Sequence, residues 1–276
     1  MRILVRTSKL AIWSRRLAIF ALPLAIFPVW MHRNQLLNSQ TFQLLLLLAI
    51  ILAILAVLTG IAAYFRLWQS GDQGWGKATL GIFVGLLCLS PIAYGATLAM
   101  QYPLANDIST NTQRPLQLLA NVQTATRSQL SADKLQAAFP GVKARQYALD
   151  PTLVFEQIED LIRQRKWDIR VRRKPGAQGA RGTTRGMIGG TINAMAMTLL
   201  GWRDEVAIRI LPTVAGTRVD MRSASLNGAH DLGTNGKRIE QFLADLDAAI
   251  LLAQKTGTQD HEIADADAGA PASTSR

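Results

Sequence analysis

Phe42 to Phe65 reads FQLLLLLAIILAILAVLTGIAAYF, 24 residues without a charge. As an α-helix it would reach roughly 36 Å, enough to cross the hydrocarbon core of a bilayer with some tilt. A helix that is apolar on every face has no solvated side, so it belongs in lipid or deep inside a protein. Ala78 to Met100, ATLGIFVGLLCLSPIAYGATLAM, is a second charge-free run, of 23 residues. Pro91 should kink it, which a membrane helix tolerates when neighbours satisfy the freed carbonyl. Gly81 and Gly85 form a GxxxG on one face of the same helix, a spacing that permits close backbone contact.

Upstream, Leu17 to Met31 is a shorter run of 15 residues that contains Pro23 and Pro28. Trp13 and Trp30 bracket it like interfacial anchors. A cleaved signal peptide would share its basic start, but no A-x-A-like site follows. It is therefore read as a retained first span, giving helices at about 14–31, 42–65 and 78–100 within a transmembrane region 1–102. With three spans, the N-terminal tail and the second loop share a side. Arg2, Arg6, Lys9, Arg15, Arg16, Arg66 and Lys77 then make seven positive charges against Arg33 alone. The positive-inside rule makes the seven-charge side cytoplasmic and puts everything after the third helix outside the cytoplasm. If the first segment does not span, the later part lies inside, so its side rests on the weakest helix.

Charge divides the chain at the same place. Residues 1–102 hold 8 of the 30 Lys/Arg and only one acidic residue, Asp72, of the 19. The remainder is a mixed-charge chain long enough to bury a core unaided. This excludes a single soluble globule. Cys88, the only cysteine, lies in an apolar run, so no disulfide within the chain and no Cys-based metal site is possible. Gly71-Asp-Gln-Gly-Trp-Gly-Lys-Ala78 nearly matches a phosphate-binding loop, but Ala78 stands where the Mg²⁺-binding hydroxyl belongs. It joins two membrane helices and reads as a flexible turn.

Residues 103–139 read as an extended polar connector, with Pro103, Asn106, Asp107, Asn111 and Pro115, and a short helix near 131–138. A domain at 140–254 follows. Val142 to Leu149 reads as a strand. Asp150-Pro151 is a helix start, an acceptor at the N-cap and Pro at the first helical position. That helix runs to about Lys166, with Val154, Ile158, Leu161 and Ile162 on one face. Trp167 to Arg172, Thr191 to Thr198, Glu205 to Leu211 and Thr217 to Ser225 alternate like strands joined by short connections. A last helix runs from about Thr234 to Gln254, with Ile239, Phe242, Leu243, Leu246 and Ile250 as its stripe. The expected fold is α+β: an antiparallel sheet of about five strands with two helices on one face. Residues 255–276 have the composition of a disordered tail.

Asp204-Glu205-Val-Ala-Ile-Arg209, then Arg218-Val-Asp-Met-Arg-Ser-Ala-Ser225, then Asp231-Leu-Gly-Thr-Asn235 and Lys237-Arg-Ile239 resemble the domain-of-unknown-function family 1499, as does Gly190-Thr-Ile-Asn-Ala194. The resemblance covers roughly residues 103–250. Lys174 to Gly189 departs from the pattern, being longer and richer in Gly and Arg. The family occurs widely in bacteria and in some photosynthetic eukaryotes and carries no established reaction. The resemblance therefore implies a fold and, with the three spans, a multi-pass protein of the bacterial inner membrane with a periplasmic domain. It implies no mechanism.

Two features are candidates for function. The first is the end of the last strand and the helix start beyond it: Arg222, Ser223, Ser225, His230, Asp231, Asn235 and Arg238. An enzymatic reading makes Ser223 or Ser225 a nucleophile, His230 its base and Asp231 the orienter, in a membrane-tethered hydrolase. No G-x-S-x-G elbow supports it. The structural reading makes Asp231 a cap for the helix, paired with Arg222 or Arg238. A third reading is anion binding at the helix start, by Arg222, Asn235 and Arg238. The second feature is the outer sheet face. Strict alternation puts Arg170, Arg172, Arg209, Arg218 and Arg222 there with Asp168 and Asp220, and Arg173, Lys174, Arg181 and Arg185 adjoin it. Such a face suits cross-strand ion pairs, or anionic lipid headgroups or an acidic envelope protein as partner. Nucleic acid would need a cytoplasmic domain and stacking aromatics, of which this face has few. His32, His230 and His261 have no metal-ligand spacing, so neither a metal nor a cofactor is expected. The expected function is a membrane-anchored envelope protein with an extracytoplasmic binding or assembly module.

Overall fold

The computed structural model describes residues 6–119, 128–176 and 189–268, with the backbone alone for 256–268. The chain divides into two compact units, one holding the helices up to Tyr102 together with Met197–Trp202, the other Pro103–Ala196 and the chain from Arg203 onward.

Helices α1 (Lys9–Arg33), α2 (Ser39–Ser70) and α3 (Trp75–Gln101) are the three, among the described residues, long and apolar enough to cross a membrane. The first is a full span of 25 residues, longer than its apolar run, because the helix continues through Pro23 and Pro28 and takes in basic residues at both ends. Small residues decide how the three pack. Ala49, Ala53, Ala56, Gly60 and Ala63 form a buried stripe along α2, and the Ser14 hydroxyl of α1 donates to the Ala56 carbonyl at 2.8 Å. Gly81 and Gly85 of α3 are both buried. A Cβ on Gly81 would lie 2.0 Å from Ser14 Oγ, and one on Gly85 3.0 Å from the Ala53 carbonyl oxygen. The GxxxG is thus a contact surface for α1 and α2. The near phosphate-binding loop is a turn: Gly71 ends α2 at φ +68, in the left-handed region that glycine tolerates, and Gly74 begins α3.

The second unit holds an antiparallel sheet. Its strands are β1 (Asp107–Ser109), β2 (Arg145–Tyr147), β3 (Asp168–Arg173), β4 (Gly190–Met197), β5 (Arg203–Thr213) and β6 (Gly216–Ser225). The order is β1-β6-β5-β4-β3, with β2 also on β6. This corrects two expectations. The connector is not merely extended, since it supplies β1, which pairs with Arg222–Ala224. The long strand expected at 142–149 is only three residues, held against Thr217–Val219. The helices are α4 (Ala132–Ala138), α5 (Pro151–Gln164) and α6 (Thr234–Ala268). Asp150 caps α5 as expected, accepting from the Thr152 amide at 2.7 Å. The backbone of α6 continues to Ala268, well past Gln254, and no proline interrupts the chain before Pro271. Residues 269–276 lie outside the described residues.

The apolar core lies between the sheet and α5 and α6. Val206, Ile208, Ile210, Val219 and Met221 are fully buried, as are Val154, Phe155, Ile158 and Ile162 of α5 and Ile239, Phe242, Leu243 and Leu246 of α6. Burying each such side chain contributes about 1.5–3 kcal/mol. The opposite sheet face carries Glu205, Ala207 and Arg209 on β5, in register with Ala224, Arg222 and Asp220 on β6. It was expected to face solvent. Part of the connector covers it instead: the Leu116 and Gln117 carbonyls accept from Arg222 and Asn193, and the Leu119 amide donates to Glu205 at 2.5 Å.

Candidate functional site

Strand β6 ends at Ser225, and α6 begins at Thr234. Between them the chain turns through Gly228, Leu232 and Gly233, all at positive φ. The turn brings Ser223, Ser225, Asp231, Asn235 and Arg238 together, whereas Arg222 lies on the opposite sheet face, bonded to Asp107 and the Leu116 carbonyl. Asp231 accepts from the backbone amides of Gly233 and Asn235, both at 2.9 Å. These amides belong to the free N-terminal end of α6, so Asp231 caps it. The expected arginine partner is not on it. Arg238 instead donates to Asp204 at 2.6 Å, and Arg222 pairs with Asp107. Burial pushes the Asp231 carboxyl above its ordinary value, while the amides of Asn235 and Gly233 pull the other way.

Ser223 projects from β6 into the core side and is fully buried. Its hydroxyl donates to Asn235 Oδ1 at 2.7 Å and accepts from Arg238 Nη1 at 2.8 Å. Arg238 Nη1 also reaches Asn235 Oδ1 at 2.7 Å. The Asn235 amide donates to Ser225 Oγ at 3.0 Å and to the Asn106 carbonyl at 3.2 Å. Asp204, Ser223, Asn235 and Arg238 thus close a buried network in which each group satisfies another. His230 is engaged locally, its Nδ1 accepting from the Leu232 amide at 3.2 Å. Since that nitrogen is an acceptor, the ring proton of the neutral form sits on Nε2, a buried atom without a partner among the described residues. The Asp231 carboxylate is directed at the helix backbone, which is not the geometry of an orienter holding a histidine base.

The arginines of the sheet are likewise engaged. Asp220 is completely buried, between Arg209 at 2.9 Å and Arg218 at 3.1 Å. Arg170 pairs with Asp168 on its own strand at 2.6 Å. Arg172 departs from the expected face: it reaches Glu159 of α5 at 2.7 Å and lies over the Phe155 ring. The reason is an irregularity in the β3–β4 register between Ile169 and Val171, which breaks strict alternation. Arg222 departs more strongly, being 7% exposed rather than solvated. Arg173 and Lys174 are exposed at the end of β3. Arg181 and Arg185 lie outside the described residues.

Reasoning from sequence places Asp168 and Asp220 among these arginines, and they do pair there. It misses the other acidic partners: Asp107 in the connector, Asp204 at the start of β5 and Glu159 on α5. The available signal was a cluster of arginines on one strand, which a folded domain neutralises when it buries them.

Fold and site together define a protein with three helices long and apolar enough to cross a membrane and an α+β domain built around buried, mutually satisfied polar networks. The family model described as "Protein of unknown function (DUF1499)" matches residues 107–246, and the chain belongs to that family. The matched segment begins at Asp107, so both halves of the Asp107–Arg222 pair fall inside it. No curated protein and no solved structure gives a match.

Proposed function

We propose that this protein is a multi-pass protein of the bacterial inner membrane whose α+β domain stands on the periplasmic side and acts by binding or assembly rather than by catalysis. The observation that carries the non-catalytic reading is the closed network at the start of α6. Ser223 Oγ, one of the two candidate nucleophiles, is fully buried and already bonded to Asn235 and Arg238, and the other, Ser225 Oγ, accepts from the Asn235 amide. A nucleophile must reach a substrate and pass its proton to a base. Here the proton lies toward an amide oxygen, and His230 is bonded to its own turn.

The side of the membrane follows from the N-terminal tail and the helix ends, where seven basic residues on one side stand against one on the other. The full-length first helix supports that count by making three spans. The partner we favour is anionic, a lipid headgroup layer or an acidic envelope protein. Exposed Arg173 and Lys174 support this reading, whereas Arg170, Arg209 and Arg218 are held by carboxylates of the fold. The test is a serine-reactive phosphonate applied to the purified full-length protein. The native protein should stay unlabelled at Ser223 and Ser225. Stoichiometric labelling at either that is lost in His230→Ala would establish the hydrolase instead.

A further inference from the structure

The turn between β4 and β5, Met197-Thr-Leu-Leu-Gly-Trp202, belongs to the helical unit. Its backbone carbonyls are capped by side chains from the end of α1 and the residues just after it. The Leu199 carbonyl accepts from Arg33 Nη1 at 2.9 Å, the Leu200 carbonyl from His32 Nδ1 at 2.7 Å, and the Gly201 carbonyl from Gln35 Nε2 at 3.1 Å. Within the turn, the Thr198 amide donates to the Trp202 carbonyl at 2.8 Å, the Gly201 amide to the Thr198 carbonyl at 3.1 Å, and the Trp202 amide to Thr198 Oγ1 at 3.0 Å. Trp202 packs edge-on against His32 and Phe42. The apolar side chains point the other way: Leu199 is 80% exposed, and Met197 and Leu200 are also exposed. Leu36 and Trp30, on the same unit, are exposed too.

This is the reverse of an ordinary surface turn, which offers polar backbone to water and tucks apolar side chains inward. Irregular backbone at membrane depth is tolerated where its polar groups are satisfied by protein. Exposed leucines beside tryptophan suit the interfacial layer of a bilayer. We propose that the Met197–Trp202 turn is a lipid-contacting element, with Met197, Leu199 and Leu200 seated in the bilayer interface at the end of the pair formed by α1 and α2. The occupant is the bilayer, because the turn is bonded to the end of α1 and packs on Phe42 of α2, both helices long enough to span it, while its exposed side chains are apolar. The proposal holds on whichever side of the membrane that end lies.

The test uses full-length protein with Cys88→Ala and one new cysteine, Leu199→Cys or Leu200→Cys, carrying an environment-sensitive fluorophore. Asp160→Cys on α5, where the native side chain is 56% exposed, serves as a comparison. In phosphatidylcholine vesicles, nitroxide-bearing lipids should quench the turn probes several-fold more than the Asp160 probe, and aqueous iodide several-fold less. Iodide quenching equal to that at Asp160 would overturn the proposal. So would protection from both quenchers, which would mean that protein covers the turn.

Discussion

Arg222 grips Asp107 with two parallel bonds, Nε to Oδ1 at 2.8 Å and Nη2 to Oδ2 at 2.5 Å, across 115 positions of sequence. Both residues are buried, and Gln129 adds a third bond to the carboxylate at 3.0 Å. The pair pins β1 to the edge of β6. A bidentate guanidinium–carboxylate contact of this kind is both strong and geometrically exacting.

Removing one half should therefore cost more than the contact itself. Asp107→Ala leaves a buried, uncompensated guanidinium and should destabilise the domain by about 3–5 kcal/mol. Replacing both, as Asp107→Leu with Arg222→Met, should restore much of the loss, because no charge is then stranded. Thermal unfolding of the purified full-length protein, followed through its sheet signal, checks this. A loss below ~1 kcal/mol for the single variant would show that the pair is a surface-like contact.

Asp231 should behave as a cap. Asp231→Ala removes the acceptor for two amides and should cost about 0.5–2 kcal/mol. No larger penalty is expected, because the arginine once expected beside it is bound to Asp204. His230→Ala should cost no more than one weak hydrogen bond, about 0.5–1.5 kcal/mol. Melting temperatures of the two variants separate the roles, and a larger loss at His230 would contradict the assignment.

Asp231 also makes a pH prediction. Burial raises its carboxyl in the folded state, so the native protein holds a proton where the unfolded chain has released it. Its contribution to stability is greatest below the ordinary carboxylate value and declines as pH rises through the raised one. Asp231→Asn keeps an oxygen acceptor but cannot ionise, so it should flatten that decline. The gap between parent and variant stability should be smallest at low pH, grow as pH rises from the ordinary to the raised value, and stay constant above it. Parallel curves would show that Asp231 does not titrate differently on folding.

The membrane half offers a steric test. A Cβ on Gly81 would sit 2.7 Å from the Ser14 backbone carbonyl carbon, a position that side-chain rotation cannot relieve. Gly81→Leu should break the α1–α3 contact and sharply reduce the yield of folded protein, by the overpacking cost of about 1–3 kcal/mol or more. Gly76→Leu, where nothing lies within 4 Å, should express like the parent. Equal yields would mean that the helices do not pack through Gly81.

The helices were legible because their signal adds over some twenty residues and no other structure satisfies a backbone in lipid. β3, β4, β5 and β6 were legible through alternation, as was the start of α5 through Asp150-Pro151. β1 was not, because three residues are too few to show a period. The face of Arg172 was not, because the register irregularity after Ile169 has no marker in composition. The site was legible as a cluster but not as a set of bonds. Asp231, Asn235 and Arg238 lie near the end of β6, but Arg222 faces the other side of the sheet, and the arginines' partners, Asp107 and Asp204, are chosen by strand pairing across the sheet. Local sequence does not carry that choice.

The side of the membrane is the central claim, and one fusion measures it. A reporter that is active only in the cytoplasm, joined after Gln254 in the full-length chain, should be silent, while the same reporter joined after Gln73, in the turn between α2 and α3 whose flanking helix ends carry Arg66 and Lys77, should be active. Activity after Gln254 would contradict the three-span topology and move the α+β domain into the cytoplasm.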